Sequence, residues 1–164
     1  MNCLFCKQDS SASKSVEHVI PESLGNKRTI LPRGFVCDSC NQYFAIKIEK
    51  PLLDQQYFKQ VRHRMGIENK KRKIPSIDAM LAGEDTACKV EILHSPGRIF
   101  SVNIPGKIFN INDYLSGGKI YMTVANEPES NNCITSRFLA KAAIESLLLK
   151  AIREDNDILL DELM

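Results

Sequence analysis

Two short segments, Cys3-Leu4-Phe5-Cys6 and Cys37-Asp38-Ser39-Cys40-Asn41, frame the stretch that decides the fold. Between them lie thirty residues, 7–36, reading KQDSSASKSVEHVIPESLGNKRTILPRGFV. Each Cys-x2-Cys pair is a tight turn that aims two sulfurs at one centre. Two such pairs supply four soft thiolates, the donor set of a tetrahedral structural zinc (Zn2+) site. A plain zinc ribbon separates its pairs by about 15–20 residues, so the longer interval here holds an inserted element. Lys14 to Pro21 predicts a short strand in which Val16, His18 and Ile20 alternate against Glu17 and Val19, with Pro21 ending it. Gly25-Asn26 and Pro32 predict a loop, and Phe35-Val36-Cys37 a second short strand. Asn41 to about Lys50 predicts a helix carrying Tyr43, Phe44, Ile46 and Ile48, ended or kinked by Pro51.

Composition narrows the class. With 43% hydrophobic and 26% charged residues, the 164-residue chain can build a core and is not disordered by composition. Its longest apolar runs are four residues (Cys3–Cys6, Tyr43–Ile46, Ala79–Ala82). A membrane span needs about 18, so no membrane partner is expected. MNCLFCKQDS has neither the basic region nor the apolar stretch of a secretory signal, and a cytoplasmic location is expected. In that reducing compartment paired thiols bind metal rather than form disulfides. The isolated Cys88 and Cys133 read as buried structural thiols. Net charge is +2, but residues 1–75 carry 14 Lys/Arg against 7 Asp/Glu, and residues 76–164 carry 8 against 13. A basic first half suits a polyanionic partner, most commonly nucleic acid.

Glu17-His18-Val19-Ile20-Pro21 followed by Cys37-Asp38-Ser39-Cys40-Asn41 resembles the HNH endonuclease family, the ββα-metal fold with a flanking four-cysteine zinc site. The resemblance covers residues 3 to about 50. It implies that His18 is the general base and that Glu17 and Asn41 hold a catalytic divalent ion, Mg2+ or Mn2+. It further implies metal-dependent hydrolysis of DNA with a 5′-phosphate product, in phage (antiviral) defence or a mobile element. The residue types suit that chemistry. A neutral imidazole can take a proton near pH 7, and a carboxylate and an amide oxygen suit a hard cation while leaving room for water and phosphate. Where many members brace the loop with an Asn about nine residues before the last ligand, this chain has Pro32. Asn26 or the backbone is left to supply the brace.

Beyond the motif, Lys59, Arg62, Arg64, Lys70, Lys71, Arg72 and Lys73 crowd one window, read as a helix to about Met65 followed by a basic loop for phosphate contacts. Cys88–Leu93, Ile99–Ile104 and Lys119–Val124 predict strands separated by turns at Ser95-Pro96-Gly97, Pro105-Gly106 and Ser116-Gly117-Gly118. Arg137–Ile152 predicts a helix. Arg137, Lys141 and Glu145 form its narrow polar stripe, and its wide apolar face is to pack on the sheet or on another subunit. His63 and His94 read as structural. The expected architecture is α+β: an HNH nuclease module with structural zinc over 1–58, a basic linker over 59–75, and a β-rich region with an amphipathic C-terminal helix over 76–164. Two other functions fit the same residues: a non-catalytic zinc-dependent nucleic-acid-binding module, and a nuclease subunit activated by a protein partner. Homo-oligomerisation is left open.

Overall fold

The computed structural model describes residues 1–69, 71–82, 87–94, 101–104, 118–129 and 132–164. Lys70, Ile99, Phe100 and most of the three expected turns lie outside them. The described fold is α+β, and it divides into two compact units, residues 1–55 with 129–164 and residues 56–128. This grouping differs from the expected division at 58 and 75. The C-terminal helix belongs with the N-terminal module, not with the β-rich segment that precedes it.

In the first unit, the first knuckle is closed by backbone bonds from Cys3 N to Gln8 O and from Lys7 N to Cys3 O, at 2.8 and 2.9 Å. Leu4 N donates to Phe35 O at 2.8 Å, which returns the chain to the knuckle just before Cys37. The hairpin between the knuckles is a single bridge, His18 to Ile30, flanked by Val19 N to Thr29 O (3.2 Å) and Leu31 N to Glu17 O (2.9 Å). Its second arm is therefore 29–31, not the expected Phe35–Cys37. Asn26 sets this pairing. Its Nδ2 donates to Ile20 O and Thr29 O at 2.7 and 2.9 Å, and its Oδ1 accepts from the Arg28 and Thr29 N–H groups. Four bonds from one side chain pinch the loop shut, with Gly25 supplying a left-handed turn (φ 91°) just before it. The alternation expected for 14–21 has the opposite phase: Glu17 and Val19 are buried, Val16 is exposed, and His18 is half-buried.

Helix α1 (Asp38–Phe44) starts on the second knuckle, whose Cys37 Sγ accepts from Cys40 N as an N-cap at 3.4 Å. It runs on through a π-helical turn, Ala45–Glu49, into α2 (Lys50–Asp54). Pro51 has no N–H to offer, and at that point the ladder widens so that Lys50 N bonds Ala45 O. Phe44, Ile48 and Leu52 are buried. Phe5 meets Phe44 edge-on, with ring centroids 4.5 Å apart.

The long C-terminal helix, Cys133–Arg153, is capped by Asn132, whose side chain accepts from Ile134 N at 2.8 Å. It packs on the π turn, on α2 and on a last short helix, Asp157–Leu163. Its faces match the expectation only in part: Phe138, Ala142 and Leu148 are buried and Arg137 is exposed, as expected, but the rest of the polar stripe turns inward. Lys141 and Glu145 are 2% and 0% exposed, whereas Leu139 and Leu147 are 60% and 48% exposed. Cys133, expected to be buried, is exposed in its first turn.

The second unit opens with α3 (Gln56–Arg64), followed by strands β1 (Ile77–Ala82), β2 (Ala87–Leu93), β3 (Ser101–Asn103) and β4 (Lys119–Tyr121). The strands form an antiparallel sheet in the order β3-β2-β1-β4. Registers Ile77–Ile92, Ala79–Val90 and Leu81–Cys88 put one apolar face together. Val102, Ile104 and Ile120 extend this core. Cys88, expected to be buried, packs against this core but is only half-buried. The central strand β1 is absent from the sequence expectation, because Ala-Met-Leu-Ala favours a helix and burial on one face overrides that preference. Gln60 ties α3 to the segment after β4, with Nε2 donating to Thr123 O (2.5 Å) and Oε1 accepting from Ala125 N (3.0 Å).

Candidate functional site

The four cysteines converge. The Sγ atoms of Cys3, Cys6, Cys37 and Cys40 all lie within 4.8 Å of one another, and those of Cys6 and Cys37 are 3.6 Å apart. A tetrahedral zinc with bonds of about 2.3 Å sets its sulfurs roughly 3.8 Å apart, so this cluster can hold a zinc ion. Backbone N–H groups already point at the sulfurs, as in Cys37 N to Cys3 Sγ at 3.4 Å. Burial opposes ionisation of Cys3, but N–H donation from Cys6, Cys37 and Phe5 wins and lowers its pKa to about 6. Burial raises Cys37 and Cys40, and for Cys40 the neighbouring thiols add to the rise. Four thiols this close cannot all ionise unless a cation neutralises them.

A second convergence surrounds the expected catalytic residues. Asp38, at the start of α1, accepts from the Ser15 hydroxyl, from Ser15 N at 2.8 Å and from Lys14 N at 3.1 Å. These bonds lower the Asp38 pKa, the Ser15 hydroxyl contributing most. They also fasten the chain just ahead of Val16-Glu17-His18. One turn into the same helix, Asn41 Nδ2 donates to Val16 O at 3.2 Å. Its Oδ1 accepts no hydrogen bond among the described residues. Asn41 is thus brought beside the peptide that leads into Glu17 and His18. His18 Nδ1 is buried and has no hydrogen-bond partner among the described residues.

Lys141 joins this place from the C-terminal helix. Its Nζ lies 2.5 Å from Glu17 Oε1, 3.0 Å from Glu145 Oε2 and 3.2 Å from Glu49 Oε1. It also donates to His18 O at 3.1 Å and lies over the Phe44 ring. Burial works against the lysine's charge, but Glu145, Glu17 and Glu49 together raise its pKa. For Glu145, burial first and then the Glu17 and Glu49 charges outweigh the lysine, raising its pKa to about 8. Sequence reasoning missed Lys141, Glu49 and Glu145. The one visible signal was the Lys141/Glu145 spacing of four, and that spacing does not say which way a helix face points.

The expected phosphate contacts lie in the second unit and differ among themselves. Lys59, Arg64, Lys71, Arg72 and Lys73 are exposed or half-exposed. Arg62 is buried at 7% exposure, which corrects its reading as a phosphate contact. Lys71–Lys73 ride on a turn built by Asn69, whose Oδ1 accepts from Lys71 N and Lys73 N at 2.8 and 3.0 Å. Arg72 there is left-handed, with φ 56°. His63 is structural, as expected: it is buried, with Nδ1 2.9 Å from Pro75 O. Among the described residues, no helix is long and apolar enough to cross a membrane.

Neither the curated proteins nor the solved structures contain a match to this chain. Residues 3–57 do match the family model described as HNH endonuclease, and this span takes in both knuckles, the hairpin and the helix that follows. The segment framed by the two cysteine knuckles, about a third of the chain, is therefore similar to the HNH endonuclease family.

Proposed function

We propose that the protein is a metal-dependent endonuclease that hydrolyses DNA phosphodiester bonds. The observation that carries this reading is the attachment of Asn41 to the Val16 carbonyl, inside a segment that matches the HNH endonuclease family. His18 is the general base. It takes the proton of the attacking water on its ring. Glu17 and Asn41 are the protein ligands of a divalent ion, Mg2+ or Mn2+, and a carboxylate with an amide oxygen fits such a hard cation. When bound, the ion neutralises charge at the phosphorus and stabilises the leaving oxygen. The four cysteines hold a structural zinc. Lys59, Arg64 and the Lys71–Lys73 turn bind the DNA backbone without reading its sequence. Phage defence or a mobile element is the proposed setting, on the family resemblance alone.

Nicking of supercoiled plasmid tests this reading. Wild type should nick with Mg2+ or Mn2+ and stop with EDTA. His18→Ala should nick about 100- to 10,000-fold more slowly, with zinc content and DNA binding unchanged, and extra metal should not rescue it. Equal rates for wild type and His18→Ala would refute the assigned base. DNA binding without nicking under any metal would mark a binding module, and nicking only after a protein is added would mark a partner-activated subunit.

A further inference from the structure

Lys141 is 123 residues from His18 in sequence and outside the family-matched segment, yet it touches both members of the Glu17-His18 pair. We propose that Lys141 is a positioning residue for the catalytic pair: its ammonium fixes the Glu17 carboxylate and the His18 backbone in the places their chemistry needs. This inference rests on the nuclease reading above.

Three features favour positioning over a removable latch. Lys141 is 2% exposed and is held by Glu145 and Glu49 as well as Glu17, so withdrawing it would strip a buried cation from three carboxylates. It donates to the backbone of His18, a contact that sets where the imidazole starts from. It also reaches Glu17 through Oε1, and a carboxylate can accept a lysine on one oxygen while coordinating with the other. Residues that orient metal ligands typically influence metal affinity or activity by about 10- to 100-fold.

The variant Lys141→Met alone leaves carboxylates buried without their cation and risks unfolding. The double variant Lys141→Met/Glu145→Leu removes the buried ammonium together with the fully buried carboxyl beside it, which leaves fewer buried polar groups without a partner than removing the lysine alone. It keeps Glu17 but takes away its lysine. The full-length, zinc-loaded chain is compared with this double variant by thermal melting, zinc content, Mn2+ affinity by electron paramagnetic resonance, and plasmid nicking against Mg2+ concentration. Positioning predicts unchanged zinc and folding, with Mn2+ affinity and the Mg2+ half-saturation point each worse by about 10- to 100-fold. Wild-type nicking with the wild-type metal dependence would overturn the proposal and leave Lys141 a packing residue. Faster nicking would also overturn it, marking a latch. If wild type binds Mn2+ but never nicks, the nuclease reading fails separately, and Mn2+ affinity alone decides: an unchanged value in the double variant overturns positioning. Absence of any Mn2+ binding by wild type overturns it too.

Discussion

The four thiols of Cys3, Cys6, Cys37 and Cys40 and the three carboxylates of Glu17, Glu49 and Glu145 pose the same electrostatic problem within one unit. In each place acidic groups gather that repel one another when ionised. The carboxylates are met by a cation of the chain itself, the Lys141 ammonium within 3.2 Å of all three. Among the described residues the thiols have no such cation, only N–H groups at 3.4 Å. A lysine is covalently tethered and cannot be lost to a chelator, whereas a cation recruited from solution can. The thiol cluster should therefore depend on metal supply and the carboxylate cluster on sequence alone.

The largest expected effect breaks the thiol side of this contrast. Cys37→Ser removes a sulfur that caps α1 and is proposed as a zinc donor, and metal at structural zinc sites contributes on the order of 10 kcal/mol to folding. The first unit should lose its helical circular dichroism and its zinc, and a folded variant of ordinary stability would contradict a structural metal. The next effect breaks the carboxylate side. Lys141→Met should lower the unfolding free energy by about 3–5 kcal/mol in urea titration, the usual cost of breaking a buried pair, with zinc-site chelators adding nothing specific to this loss. The smallest effect sharpens the comparison with a third arrangement, cations that have no ion pair among the described residues. Replacing Lys71, Arg72 and Lys73 with Gln should weaken all DNA sequences alike. The slope of log affinity against log salt should become shallower by roughly 0.9 for each phosphate no longer neutralised, measured by titration at several salt concentrations. An unchanged slope would make that turn a solvated loop.

What can be read from the sequence follows the same contrast. Cysteine pairs are legible because their spacing alone forces convergence, and Glu17-His18 and Asn41 are legible as a motif. The Lys141 cluster is not, because it joins residues from three distant segments and no local pattern encodes that. The polar stripe Arg137, Lys141 and Glu145 reads as solvent-facing on a helix that is apolar over most of its circumference. On such a helix hydrophobicity does not decide the orientation, and two carboxylates from other segments awaiting a cation do. The hairpin's second arm lies some six residues earlier than expected because Asn26, a side chain rather than a strand pattern, fixes the register. Strand β1 is hidden by residues with helical preference whose alternation becomes visible only against β2.

The first unit leaves the chain at residue 55 and resumes at 129, with the whole β-rich unit made in between. At synthesis rates of about 5–20 residues per second, Lys141 follows His18 out of the ribosome by roughly 6–25 s, given their separation of 123 residues. Until then Glu17 would be an unneutralised acid on an open hairpin. On the proposed nuclease reading, activity is thereby delayed by the order of the sequence: the nascent N-terminal segment can gather its cysteines early, but the lysine that completes its buried charge arrives only after the second unit has been translated.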